Sequence, residues 1–131
     1  MTSDDQPTTW AIRLTAKAYA SLEAAWRHLA RTAGEEIADA WREGLEEEIS
    51  RLARMPGSLP LARENDRFAE TVRSLLYRRT PRGPAHRILF VQRSSELEAP
   101  TVVVINIRHG AQAPITRREA RELEQELEGP E

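Results

Sequence analysis

The chain has 131 residues, of which 40% are hydrophobic and 31% charged, and its formal net charge is -2. This length suits one domain with a single core, and this balance of residue types excludes a disordered chain. The absence of cysteine excludes disulfides, thiolate metal sites and cysteine nucleophiles, and because it favours a reducing compartment we expect a cytoplasmic protein.

The N-terminal residues are polar and acidic, so we expect residues 1–9 to form a flexible tail without a signal peptide. The longest apolar run, at 102–105, is far too short to span a membrane. Residues 10–14 alternate between apolar and polar side chains, which is typical of a first strand. We expect one domain over residues 10–128.

Two amphipathic helices follow the first strand. Thr15 can cap a helix over 16–31, whose apolar side chains share one stripe and which ends near Gly34. Acidic residues open a second helix over 35–55, and the Pro56-Gly57 pair stops it. Because only a few residues join them, the two helices predict an antiparallel hairpin.

The apolar stripes of this hairpin contain Trp26 and Trp41, and a sheet is the expected cover for them. Three β-rich runs lie at 72–79, 86–92 and 101–107, separated by turn-forming segments. This pattern predicts an antiparallel meander.

Near the C-terminus, Thr116 can cap a short helix that ends at Gly129-Pro130. The sequence therefore predicts an α+β fold in the order β-α-α-β-β-β. Its helix hairpin packs on a mainly antiparallel four-stranded sheet, and a short C-terminal helix completes it. We expect one side of the sheet, bearing arginines, to remain open to a large partner.

Charge is strongly segregated along the chain. Residues 33–50 carry seven acids against Arg42 alone, whereas residues 67–93 carry seven arginines against Glu70 alone. Guanidinium groups pair well with carboxylates and phosphates, so this cationic stretch suits an acidic protein or RNA, although a solvated sheet edge with internal ion pairs is the plainer interpretation. Strand alternation places Tyr77 on the same face as two of these arginines. The residues of that face are Arg73, Leu75, Tyr77 and Arg79.

The sequence contains few features that indicate a site for a metal ion, a cofactor or a small-molecule substrate. The run Glu46–Glu48 points in three directions on a helix, and His28 has no histidine one turn away, so neither predicts a metal site. The chain also lacks a glycine-rich phosphate loop and a nucleophile elbow. We therefore expect no metal, no cofactor and no small-molecule substrate, and only His86 and His109 are worth testing as site histidines.

Three local patterns, at residues 49–57, 86–90 and 103–110, together resemble the RelE/ParE family of bacterial toxins. Residues 49–57 resemble the aliphatic stretch that a proline closes, and His86–Phe90 resembles the Tyr-Arg-Ile strand with histidine in place of tyrosine. Residues 103–110 resemble the last strand and its His-Gly turn. Together with the element order, the likeness covers residues 10–112 and implies the toxin of a type II toxin–antitoxin system, neutralised by a cognate antitoxin.

The resemblance implies two targets. RelE-like members cleave messenger RNA on the ribosome, and here Arg73, Arg87 and His109 would have to supply the cations and the general base. ParE-like members bind and inhibit DNA gyrase. For binding to a target or an antitoxin, the candidate residues are Arg73, Tyr77, Arg78, Arg79, Arg82 and Arg108.

Gln112 stands where many family members carry an arginine, which weakens the case for an endoribonuclease. We therefore favour the ParE-like alternative, a toxin without catalysis that acts on DNA gyrase. The ribosome-dependent endonuclease remains the alternative, and a third possibility is a non-toxic interaction domain on the same scaffold.

Overall fold

The computed structural model describes residues 9–128, and their element order confirms the sequence prediction. The predicted tail at 1–9 lies, apart from residue 9, outside the described residues, as does the predicted helix end at 129–130. The elements are β1 (Ala11–Leu14), α1 (Ala16–Ala33), α2 (Glu35–Arg51), β2 (Arg73–Arg78), β3 (Ala85–Arg93), β4 (Thr101–His109) and α3 (Arg117–Glu128), with single 3-10 turns at Pro56–Ser58 and Asn65–Arg67.

One four-stranded sheet has the order β1-β4-β3-β2. β2, β3 and β4 form an antiparallel meander, and β1 pairs with β4 in parallel. The parallel pair is possible because the whole helix hairpin and meander separate β1 from β4 in sequence. This arrangement confirms the mainly antiparallel sheet.

The ends of the helix hairpin follow from local chemistry. The Thr15 side chain accepts a hydrogen bond from the Ala18 amide at 3.1 Å and starts α1. Gly34 adopts a φ of 103°, a conformation that favours glycine, between the two helices. α2 ends at Arg51 rather than at residue 55 as predicted. The residue before Pro56 is disfavoured in the helical conformation, so the last turn loosens before the proline.

The helix hairpin covers one face of the sheet with a single apolar cluster. Trp41 and Leu45 of α2 pack with Ile88 and Phe90 of β3 and with Val104 of β4, and all five side chains are buried. Trp26 packs against the edge of the cluster and donates its indole N–H to Asp39 at 3.0 Å. The tryptophan stripes therefore face the sheet, as predicted.

The opposite face of the sheet is also covered, so the expectation of an open arginine-bearing side is wrong. Leu89 of β3 and Val103 of β4 pack against Leu123 of α3 and against Phe68 and Val72, which precede β2. The two central strands are apolar on both faces, and burying the second face stabilises the fold by roughly 1.5–3 kcal/mol for each large side chain.

α3 begins with a reciprocal pair of hydrogen bonds. The Thr116 hydroxyl accepts from the Glu119 amide at 3.1 Å, and the Glu119 carboxylate accepts from the Thr116 amide at 3.0 Å. This capping box confirms Thr116 as the start of the C-terminal helix.

β4 contains one extra residue relative to β3. Leu89 pairs with Asn106 and Phe90 pairs with Val104, so Ile105 forms a bulge. Before the bulge, even-numbered residues of β4 face the helix hairpin; after it, Ile107 does so. Because of the bulge, odd-numbered rather than even-numbered residues face the helix hairpin at the end of β4.

Close packing between α2 and β2 generates a test at Gly44. A methyl group at this position overlaps the Tyr77 hydroxyl, which donates to the Trp41 carbonyl at 3.1 Å. Overpacking costs about 1–3 kcal/mol, and alanine returns only about 1 kcal/mol of helix propensity. We expect Gly44→Ala to lower the free energy of unfolding, measured by chemical denaturation.

The double variant Gly44→Ala/Tyr77→Phe is the control, because it removes the overlapping hydroxyl. We expect it to be more stable than Gly44→Ala alone. A Gly44→Ala protein at least as stable as the wild type would contradict this account of the packing.

Candidate functional site

Arg87, predicted as a possible catalytic residue, lies in a buried ion pair. Its guanidinium donates to both carboxylate oxygens of Glu64, at 3.0 and 2.6 Å, and the Glu64 side chain is fully buried. The same carboxylate accepts from the Ile115 amide at 3.1 Å. Arg87 therefore serves the packing on the α3 face of the sheet, and its charge is already neutralised.

The ionisation of Glu64 reflects these contacts. Burial by itself raises the pKa of a carboxyl group, but the hydrogen bonds from Arg87 and Ile115 outweigh burial and lower the pKa of Glu64 to about 2. The sequence offered no sign of this role, because Glu64 is an isolated acid in a connecting segment.

Most of the other predicted binding arginines also make internal contacts. Arg73 donates to the Leu59 carbonyl at 2.6 Å, and Arg78 donates to the Gly83 carbonyl at 2.8 Å. Arg108 is buried, donates to the Ala113 carbonyl at 2.7 Å and lies 3.7 Å from Glu119. Within the part of the chain that the structure describes, Arg79 and Arg82 make no hydrogen bond or ion pair.

The predicted exposed surface around Tyr77 is wrong. The Tyr77 side chain is only 7% exposed, because its face of β2 packs against the helix hairpin. Burial raises the pKa of its hydroxyl, which donates to α2. Alternation correctly placed Arg73, Leu75 and Tyr77 together, but on a covered face.

His109 lies in a tight turn at the end of β4. Its backbone N–H donates to the Gln112 side chain at 2.9 Å, and its Nδ1 accepts from the Ala111 amide at 3.0 Å. Gln112 therefore closes this turn. His109 also pairs across the sheet with His86, and their ring centroids are 5.2 Å apart in an edge-to-face arrangement.

His86 lies between His109 and Trp41, with its ring centroid 5.0 Å from that of Trp41. The ring is buried, and burial lowers the pKa of His86 to about 4, with a smaller contribution from the charge of His109. His86 is therefore neutral at pH 7. The sequence marked His86 and His109 for testing but did not show that Trp41 joins them.

A groove of about 720 Å³ opens beside this aromatic cluster. One wall is α1, the other is formed by the β2–β3 turn and the end of β4, and Trp41 and His86 line the groove between them. Two polar atoms on these rings, Trp41 Nε1 and His86 Nδ1, are buried without a hydrogen-bond partner. The Nε atoms of Arg73, Arg87 and Arg108 also lack a hydrogen-bond partner, so it is the groove together with its two ring nitrogens that makes a candidate binding site.

The three residues considered for RNA cleavage do not converge. Arg87 points to the α3 face and His109 to the hairpin face, where it contacts His86. Arg73 also lies on the hairpin face, but it pairs with Phe90, four residues along β3 from His86, or roughly 13 Å. Within residues 9–128, no group of three His, Asp or Glu side chains could hold a metal ion.

None of the helices described between residues 9 and 128 is both long and apolar enough to cross a membrane.

Comparison with known proteins agrees with this architecture. The family model described as "ParE toxin of type II toxin-antitoxin system, parDE" matches residues 12–114. The chain therefore belongs to the ParE toxin family of type II toxin–antitoxin systems. α3 lies beyond the matched residues.

A solved structure described as "Chromosomal ParDE TA system from P. aeruginosa" contains a similar chain. The two chains are 20% identical and superpose with a TM-score of 0.59, over 78% of this chain and 97% of the other. At this identity the likeness supports the fold alone. No curated protein sequence matches the chain.

The buried ion pair generates a test with an internal control. Glu64→Ala leaves the Arg87 charge buried without a partner, so we expect a loss of about 3–5 kcal/mol in the free energy of unfolding. Glu70 pairs with Arg93 at the same 2.6 Å distance, but both side chains are about one-third exposed. We expect Glu70→Ala to cost less than about 1 kcal/mol. Equal losses in chemical denaturation would contradict the assigned burial.

His86 generates a pH-dependent test. Between its pKa of about 4 in the folded chain and its ordinary value of 6.5, the unfolded chain binds a proton that the folded chain does not. The free energy of unfolding should therefore fall as the pH drops through this window, and His86 should account for roughly 3 kcal/mol of this loss. We expect His86→Phe, which keeps the ring contacts, to lose this part of the pH dependence in denaturation at pH 7 and pH 4. Identical pH profiles for both proteins would contradict it.

Proposed function

We propose that the protein is the toxin of a type II toxin–antitoxin system and acts by binding a macromolecular target rather than by cleaving RNA. The observation that carries this proposal is the Arg87–Glu64 ion pair. RNA cleavage needs a cation free to stabilise the negative charge that develops on the phosphate. Arg87 gives both ends of its guanidinium to a buried carboxylate, and it lies on the opposite face of the sheet from His109.

The proposed target is DNA gyrase, which is the target that the likeness to ParE toxins implies. Arg79 and Arg82 border the exposed β2–β3 turn and make no internal ion pair within the described residues. Guanidinium groups on such a turn can form bidentate pairs with carboxylates of a target protein. A cognate antitoxin, which the family implies, would neutralise the toxin by occupying its binding surfaces.

A supercoiling assay with purified gyrase tests the target. We expect the wild-type protein to inhibit supercoiling, and Arg79→Ala/Arg82→Ala to need about tenfold more protein for half inhibition, as expected when about 1.4 kcal/mol of binding free energy is lost. The matched control is Arg117→Ala/Arg121→Ala, which removes two exposed arginines from α3. Unchanged gyrase activity at large molar excess would overturn gyrase as the target.

Two further measurements separate the alternatives. Expression in growing cells should arrest growth while leaving translated messages intact, and cuts at fixed codon positions would favour the endonuclease instead. Co-expression with the cognate antitoxin that the family implies should restore growth. Normal growth after expression alone would favour a non-toxic interaction domain on this scaffold.

A further inference from the structure

β2 is an edge strand of the sheet, and only the beginning of its outer edge is paired with another part of the described chain. The segment at 60–62 closes that beginning. The Ala62 amide donates to the Val72 carbonyl at 2.8 Å. The Ser74 amide donates to the Pro60 carbonyl at 3.0 Å. The backbone groups of β2 that point outward therefore belong to its even-numbered residues.

Pro60 ends this pairing. Proline has no N–H, so Pro60 cannot donate to the Ser74 carbonyl, and the residues just before it form the 3-10 turn at Pro56–Ser58 rather than a strand. Alternation then leaves the N–H and C=O groups of Leu76 and Arg78 open on the same edge. Within residues 9–128, no backbone group beyond β2 bonds to them. Together with the Ser74 carbonyl, five main-chain groups are available to an added strand.

The open part of the edge carries an exposed leucine followed by exposed arginines. Leu76 is 56% exposed and pairs with Arg87, so its side chain lies on the α3 side of the sheet. Arg78 and Arg79 come directly after it, and both are exposed. Protein sheet edges are usually protected by charges, by proline or by a covering segment. An apolar side chain on the uncovered stretch therefore indicates a place where a strand is added.

We propose that the target protein binds this edge of β2 through an extended acidic segment, which adds a fifth strand to the sheet. This rests on the proposed function and deepens it, because β2 runs directly into the turn with Arg79 and Arg82 that we propose for target binding. Main-chain hydrogen bonds supply the affinity, and the side chains beside them supply the selectivity. None of residues 74–78 lines the groove beside α1, so the edge and the groove are separate surfaces.

The charges beside β2 determine which face of the added segment is acidic. Side chains alternate between the two faces of a sheet, and on the α3 side Arg78 favours a carboxylate. The hairpin side carries both signs of charge. Burial raises the pKa of Tyr77, Arg79 lowers it, and the charges of Glu48 and Glu47 on α2 raise it further. The acidic positions of the segment are therefore every second residue, on the α3 side.

A second copy of this chain fits the open edge less well than an acidic segment. Antiparallel self-pairing through the outward groups places Arg78 opposite Ser74, Leu76 or Arg78 of the other copy. None of these pairings gives the guanidinium a carboxylate. The charge of the edge therefore favours a different protein as the partner.

Two leucines on the same edge give a matched pair of variants. Leu76 is 56% exposed and Leu61 is 52% exposed, but Leu61 lies on the segment that already closes the edge. Leu76→Asp places a carboxylate against the acidic segment. We expect this variant to need about tenfold more protein for half inhibition of supercoiling, and Leu61→Asp to match the wild type. Equal potency of the two variants would overturn the edge as the site.

Hydrogen exchange on the full chain with purified gyrase tests the main-chain contact. We expect the outward amides of Leu76 and Arg78 to exchange at least about tenfold more slowly when gyrase is present. The amides of Leu75 and Tyr77, which point toward β3, should keep their rates. Mass spectrometry with fragmentation resolves these single amides. Unchanged exchange at Leu76 and Arg78 would overturn the added strand.

The outcomes separate this inference from the proposed function. A wild-type protein that does not inhibit gyrase overturns both. A wild-type protein that inhibits gyrase, with equal potency in the two leucine variants, overturns the edge alone. Protection of the Leu76 and Arg78 amides by the antitoxin but not by gyrase assigns the edge to another occupant and overturns the proposal. A dimer in sedimentation that Leu76→Asp dissociates has the same consequence.

Discussion

The buried charge of Arg87 is the constraint on which the second half of the molecule depends. A guanidinium on a central strand must be paired, because an unpaired charge in the interior costs several kcal/mol. Glu64 supplies the partner from the segment before β2, and the same carboxylate holds the Ile115 amide just before α3. One acidic side chain therefore fixes three separate segments. The covering of the second sheet face depends on this junction.

The two faces of the sheet differ in how their polar and charged groups are paired. On the α3 face, the charges of Arg87 and Arg108 are met by Glu64 and Glu119. On the hairpin face, polar atoms of Trp41 and His86 remain unsatisfied beside an open groove. The first face pairs its charges internally, although the Nε atoms of Arg87 and Arg108 also lack hydrogen-bond partners, whereas the second leaves two ring nitrogens unsatisfied at residues that line the groove. This division fits a protein that works through binding.

The sequence predicted the element order well, because periodicity and caps such as Thr15 and Thr116 are local signals. It did not predict the covered second face, although the continuous apolar stretches 88–91 and 102–105 were a usable sign that β3 and β4 are buried on both sides. The contacts of Arg87 could not be read in advance, since its partner lies 23 residues away in a segment without periodicity. Charge counts alone overstated how many arginines are available to a partner molecule, because they do not show internal hydrogen bonds and ion pairs.

The bulge at Ile105 determines which side chains share a compartment. In a strand of this length without a bulge, strict alternation would direct His109 toward α3 and Arg108 toward Trp41. In sequence alignments of this strand, the face to which each residue belongs therefore has to be assigned separately before and after the bulge. A homologue with a strand of equal length but no bulge would present that imidazole to the opposite surface, whereas one that lacked both the bulge and its extra residue would present it to the same surface. A conserved motif would then conceal different chemistry.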